Sequence, residues 1–155
     1  MRGTANQLND MFLAKYDSNN MHQWSGVYGS NNTDQLLMGI AVNPFSNDVS
    51  IAGHFLSGLD FGAGPVLSAV PNNNTFLANF RAAGNFGQPQ LVTARSLQTG
   101  ALGDASPARL AYTSDARLFL HESYFGTAMI GGYAVPAGPG RRTFVAELTP
   151  IHSSR

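Results

Sequence analysis

Cysteine is absent from the 155-residue chain, which excludes a disulfide framework, a thiolate nucleophile and any zinc site built on sulfur. Charge is scarce too. Lys and Arg number nine, Asp and Glu nine, and together they make only 12% of the residues, for a formal net charge of zero. Nucleic acid and anionic membrane surfaces both demand basic patches, so neither is expected as a partner. No run of 18 apolar residues occurs, and the opening "MRGTANQLND" lacks the apolar stretch of a signal peptide. A helical period is also missing, while 17 Gly and 8 Pro punctuate the chain throughout. Helix content is therefore expected to be very low. Asn, Ser, Thr, Gln and Gly must supply the wet surface, which suits an extracellular or cell-surface location.

What is present is a repeated phrase. "DMFLAKYD" at 10–17 returns as "NNTFLANF" at 73–80 and as "RRTFVAEL" at 141–148, so that Phe12, Phe76 and Phe144 stand 64 and 68 residues apart. Within each copy the residues alternate: Phe12, Ala14 and Tyr16 lie on one face, as do Phe76, Ala78 and Phe80, then Phe144, Ala146 and Leu148. Period two with one apolar face is a half-buried strand, and the three Phe are expected at equivalent buried positions. The segments between copies repeat in order. "MHQWSGVYG" at 21–29 follows the first copy and "FGQPQLVTAR" at 86–95 the second. "LLMGIAVNP" at 36–44 with "VSIAGHF" at 49–55 precedes the second, and "ARLAYTSDA" at 108–116 with "RLFLHESYF" at 117–125 precedes the third. Four strands per unit, recurring with a period in the sixties, predict an all-β fold of propeller blades, each a four-stranded antiparallel meander. The expected organisation is an extension at 1–9, propeller repeats over 10–150 and a tail at 151–155.

The stretch "GIAVNPFSNDVSIAGHFLSGLDFGAGPVLSAVPNNNTFLANF" at 39–80 resembles the bacterial β-propeller repeat of the SBBP type, and the likeness extends over about 12–148. The second unit departs from the pattern: "MIGG" at 129–132 stands for "DFG" at 60–62, and no Trp matches Trp24. The resemblance implies a propeller fold in a large secreted or surface protein, and no particular chemistry. Labelling the strands of a blade a to d outwards, the chain reads c-d, a-b-c-d, a-b-c, or nine strands. A propeller takes about four or more four-stranded blades. Its partners are therefore expected to be other blades, from the same longer chain or from identical copies.

Candidate chemistry is thin. His22, His54, His121 and His152 have no metal-pair spacing, and His54 and His121 are expected at similar points of strand b. The "HES" at 121–123 alternates faces and forms no relay. There is no nucleophile elbow, phosphate loop or dinucleotide fingerprint, so no cofactor, no metal and no catalytic residue is expected. The inner strands supply one carboxylate, Asp115. Asp60 is read either as a cation ligand or as a turn residue accepting backbone N–H bonds. Trp24, Tyr28 and Tyr124 are read either as a sugar-stacking platform or as fill between blades. Asn31 and Asn73 head acceptor sequons in polar loops. The b–c and d–a connections are long and share one rim, where Trp24, Asn31, Asp60, Asn73 and Tyr124 are the candidate ligand-binding set. Three readings stay open: a non-catalytic binding or structural module, a sugar-binding lectin assembled from short chains, and a propeller hydrolase.

Overall fold

The computed structural model describes residues 9–29, 34–63, 66–68, 74–82, 88–97, 106–130, 132–136 and 138–148. Among them no helix forms. The strands are β1 (Met11–Tyr16), β2 (His22–Tyr28), β3 (Gln35–Val42), β4 (Val49–Phe55), β5 (Asn74–Phe80), β6 (Leu91–Leu97), β7 (Ser106–Tyr112), β8 (Leu118–Tyr124), β9 (Ala128–Ile130), β10 (Tyr133–Val135) and β11 (Arg142–Leu148). They pair antiparallel as β1-β2, β3-β4-β5-β6 and β7-β8-β11, with a small β9-β10 hairpin. The three copies of the phrase are β1, β5 and β11, and the strands around them follow the anticipated order. The strand expected at 86–95 lies later, at Leu91–Leu97, and the one expected at 108–116 earlier, at Ser106–Tyr112.

Turn chemistry explains the short connections. The turns at 17–21 and 113–117 share one geometry, in which the first residue exchanges backbone bonds with the fourth and fifth. The fourth, Asn20 or Ala116, takes a left-handed φ of 59° or 62°. Asp17 Oδ1 caps its turn by accepting the Asn19 and Met21 amides at 2.9 Å, and Thr113 Oγ1 accepts the Arg117 amide at 3.0 Å. Asn43 Oδ1 holds the 43–48 turn through the Phe45 and Ser46 amides. These are the Asx and Ser/Thr devices expected of such loops.

Registers align the sheets with one another. Phe76 pairs with Gly53 in β4 and Phe144 with Glu122 in β8, while Phe80 pairs with Val49 and Leu148 with Leu118. Phe76 and Phe144 are thus structurally equivalent. Every sheet then has a near side, facing the sheet earlier in the chain, and a far side, facing the later one. Met11, Leu13, Trp24 and Tyr28 on the far side of the first sheet pack on Val49, Ile51, Phe55, Phe76 and Phe80 on the near side of the central one. Ala52, Leu77 and Leu97 on the central far side pack on Leu118, Leu120, Phe144 and Leu148 of the third. Between these last two sheets the backbones come closest at β3 and β7.

Gly53 shows how tight the central sheet is. A Cβ there would lie 1.9 Å from the Leu36 carbonyl oxygen and 2.9 Å from the Phe76 ring, so only glycine permits this approach of β3, whose register shifts at Leu37/Gly39.

The expectation for the three Phe needs correction. Phe76 is fully buried and Phe144 half-buried, but Phe12 is 63% exposed. The reason is positional: the phrase Phe faces the preceding sheet, and among the described residues no sheet precedes β1. In the first copy it is the opposite face, Met11 and Leu13, that is buried.

Candidate functional site

Of the residues expected on the long-loop rim, the three described ones, Trp24, Asp60 and Tyr124, do not come together. Trp24 lies within β2, fully buried, its ring 6.2 Å from that of Phe80 and its Nε1 donating to the Ala82 carbonyl at 3.3 Å. Tyr124, 2% exposed, ends β8; its hydroxyl donates to the Pro136 carbonyl at 2.9 Å and its ring is 5.9 Å from Phe144. Both rings fill space between elements and present no face to solvent. Asp60 is exposed and its Oδ1 accepts the Gly62 amide at 2.7 Å, where Gly62 takes a φ of 75°. That contact spends the carboxylate on a turn. Asn31 and Asn73 lie outside the described residues, as does His152. Asp115 is exposed in the β7–β8 turn; the hydrogen bond it accepts from the Thr113 hydroxyl holds its carboxyl below the usual range, with Arg117 at 3.2 Å adding to the effect.

His54 and His121 are not at matching points. Ala52 pairs with Leu77 and His121 with Val145, and Leu77 and Val145 are equivalent by register. His54 is accordingly the counterpart of Ser123. It is buried on the central far side, whereas His121 is exposed on the third sheet's far side.

The structure instead assembles a polar seam between the central and third sheets. Thr75 Oγ1 donates to Glu122 Oε1 at 2.5 Å, and His54 Nε2 stands 3.3 Å from the same oxygen without forming a hydrogen bond. All three residues are buried. At the other end of the interface the Ser50 hydroxyl donates to Asn79 Oδ1 at 2.5 Å and meets the Tyr112 hydroxyl at 2.8 Å. Leu77, Leu118 and Leu120 belong to the same interface. Imidazole, carboxylate and hydroxyl stand side by side, yet the hydroxyl spends its proton on the carboxylate and not on the imidazole. Burial also seals all three from any substrate. The cluster joins the central and third sheets through a buried polar contact. No local signal in the sequence points to it: His54 and Thr75 come from one sheet and Glu122 from another.

Two open clefts flank the stack. One, of about 510 Å³, runs along β11 and is lined by Arg95, Leu97, Tyr133, Phe144, Val145 and Glu147, among others. Burial lowers the Arg95 guanidinium from its usual range. The second, of about 690 Å³, runs along β1 and is lined by Leu13, Lys15, Tyr16, Ile40, Val42 and Val49, among others. Lys15 Nζ closes one end of it by donating to the Asn47 and Ala82 carbonyls at 3.1 and 2.8 Å. No group of three or more His, Asp or Glu able to hold a metal ion occurs among the described residues.

Comparisons with protein-family models, with curated proteins and with solved structures return no match.

Proposed function

We propose that the chain is a non-catalytic, extracellular β-propeller module, a binding or structural scaffold of the kind its SBBP-type resemblance implies, completed by further blades. The observation that carries this reading is the equivalence of Phe76 and Phe144. Each stands at the same register point of its sheet and faces the preceding sheet. Sheets that repeat both register and facing, closest at their inner strands β3 and β7, are the geometry from which a propeller is generated by rotation. What favours scaffold over catalyst in this reading is that, among the described residues, the carboxylate beside an imidazole is buried in an interface, while Asp60 and Asp115 accept hydrogen bonds within turns.

A glycan array and a broad hydrolase panel on the purified protein test the functional half. Neither specific glycan capture nor turnover is expected. Saturable capture lost on Tyr133→Ala, which empties the exposed ring beside the β11 cleft, would make it a lectin. Turnover abolished by His121→Ala would make it an enzyme.

A further inference from the structure

The uncovered surfaces of the stack are of two kinds, and they are complementary. At one flank the near side of the first sheet exposes Phe12, Tyr16 and Val27, at 63%, 57% and 55%. At the other flank the far side of the third sheet exposes Val145 at 66%. Val145 is the counterpart of Leu77, which is 2% exposed because the third sheet covers it. Phe12 is the counterpart of Phe76, buried because the first sheet covers it. Within the chain, far side meets near side twice; one far side and one near side are left over.

Strand edges tell the same story. Among the described residues, β11 is an edge strand of the three-stranded sheet and β1 pairs only with β2. One of the two clefts lies beside the β1 edge and the other beside the β11 edge. The β11 cleft is floored by Arg95 and Leu97 of β6, and the β1 cleft by Ile40 and Val42 of β3, which are 54% and 51% exposed. Those two side chains share a face with Val49 and Ile51, which are 4% and 0% exposed. Apolar side chains on one sheet face thus pass from buried to half-exposed where the first sheet ends.

Resting on the propeller reading above, we propose that the chain associates with itself head to tail. The β1-β2 hairpin of one copy seats in the β11 cleft of the next and pairs β1 with β11. The five-stranded sheet so formed sets Phe12, Tyr16 and Val27 against the β6 side of one central sheet, and Val145 over Ile40 and Val42 of the other. One contact thereby closes both clefts, pairs the β1 and β11 edges and covers Phe12, Tyr16, Val27 and Val145 on the two flanks. The occupant is a second copy because the two flanks match in facing: a near side with no sheet before it meets a far side with no sheet after it, as near and far sides already meet within the stack. Open β edges are competent for such pairing. The contact is heterologous, so it propagates until a ring closes. With two sheets contributed per copy, a propeller of about six sheets takes three copies.

Light scattering after size exclusion, on the chain and on two variants, tests this. The chain is expected to run as a discrete oligomer that dissociates on dilution. Phe12→Lys, which damages only the β1 flank, and Val145→Lys, which damages only the β11 flank, should each be monomeric. Mixed in equal amounts they should form a species of two copies and no more, since each retains the flank the other lacks. A monomeric parent chain at high concentration overturns the proposal, as does an oligomer that survives in either variant alone, or a mixture that stays monomeric. Hydrogen exchange on the same samples separates this from failure of the underlying reading. If β4 and β5 are the most protected strands while the chain is monomeric, the stacked fold stands and only self-association falls. If they are not, the stack itself is wrong.

Discussion

The central sheet and the two that flank it are built from the same phrase yet live in different surroundings. Every residue of β4 is buried and all of β5 but Asn79. In β1, by contrast, Met11 and Leu13 are buried while Phe12 and Tyr16 are exposed, and in β11 only Leu148 is buried. The difference lies in neighbours. A strand with sheets on both sides needs apolar or mutually satisfied residues at every position, which is why β5 reads Asn-Thr-Phe-Leu-Ala-Asn-Phe without a charge. On a strand with one covered side the uncovered face tolerates Glu147, while Lys15, on the covered face of β1, is satisfied by the Asn47 and Ala82 carbonyls. Burial in such a stack belongs to the position of a sheet in the order, and only secondarily to its own sequence.

Large-to-small substitutions at equivalent positions should expose this contrast most sharply. Phe76→Ala removes a fully buried ring that packs against Phe55 and Phe61 at 6.4 and 5.6 Å between centroids, and is expected to cost about 3–5 kcal/mol. Phe12→Ala, at the same point of the phrase, is expected to cost less than about 1 kcal/mol in the monomer. Urea denaturation at a concentration too low for self-association measures both. Equal losses would mean that Phe12 is covered within the single chain.

Much of this fold is legible in residue patterns. Alternation marks β1, β5 and β11, and the clusters DSNN and FSND mark the turns between strands, because both are local properties of the backbone. The interfaces are not legible. Phe12 and Phe76 look alike in sequence, and only the sheet order distinguishes them. Trp24, an aromatic in a polar segment, reads equally well as a ligand platform or a core residue. Its contact with Phe80, 56 residues on, decides for the core. The meeting of Glu122 with Thr75 and His54 depends on how two sheets stack, a matter of tertiary packing on which period-two patterns are silent. The β9-β10 hairpin, within one of the long b–c connections, escapes the pattern because each strand spans only three residues. Its counterpart in the central unit is smaller still, the Leu59–Leu67 bridge.

Alkaline titration sharpens the comparison for the first sheet, whose far side alone is covered. Burial pushes the Tyr28 hydroxyl up to about 12 from 10.0. A raised value means that the folded state holds the proton more tightly than the unfolded chain. The associated stability is therefore complete below pH 10 and is lost as pH climbs from about 10 to about 12. The loss is on the order of 1–3 kcal/mol, at about 1.4 kcal/mol for each tenfold change in proton affinity and less where water screens the group. Denaturation midpoints followed from about pH 9 to about pH 12 should fall more steeply in the parent than in Tyr28→Phe, which has no proton to release. Parallel curves would show that the hydroxyl is wetted and the first sheet less closely seated on the central one.

The smallest effect expected concerns a pair of threonines. Thr75 and Thr143 occupy equivalent places, each one residue before its phrase Phe and each on the far side of its sheet. Thr75 is fully buried and donates to Glu122, whereas Thr143 is exposed. Replacing Thr75 by Val keeps the shape and deletes the donor, leaving a buried carboxylate oxygen with one partner fewer, at a cost of about 1–3 kcal/mol. Thr143→Val deletes a hydroxyl that water satisfies and should change stability by less than about 0.5 kcal/mol. In an assembled oligomer the far side of the third sheet is covered, so the harmless variant becomes a reporter. If Thr143→Val shifts the thermal midpoint at high protein concentration but not at low, the third sheet's outer face has acquired a neighbour. If the midpoints of the two variants move alike at every concentration, the seam between the central and third sheets is not the feature that separates them.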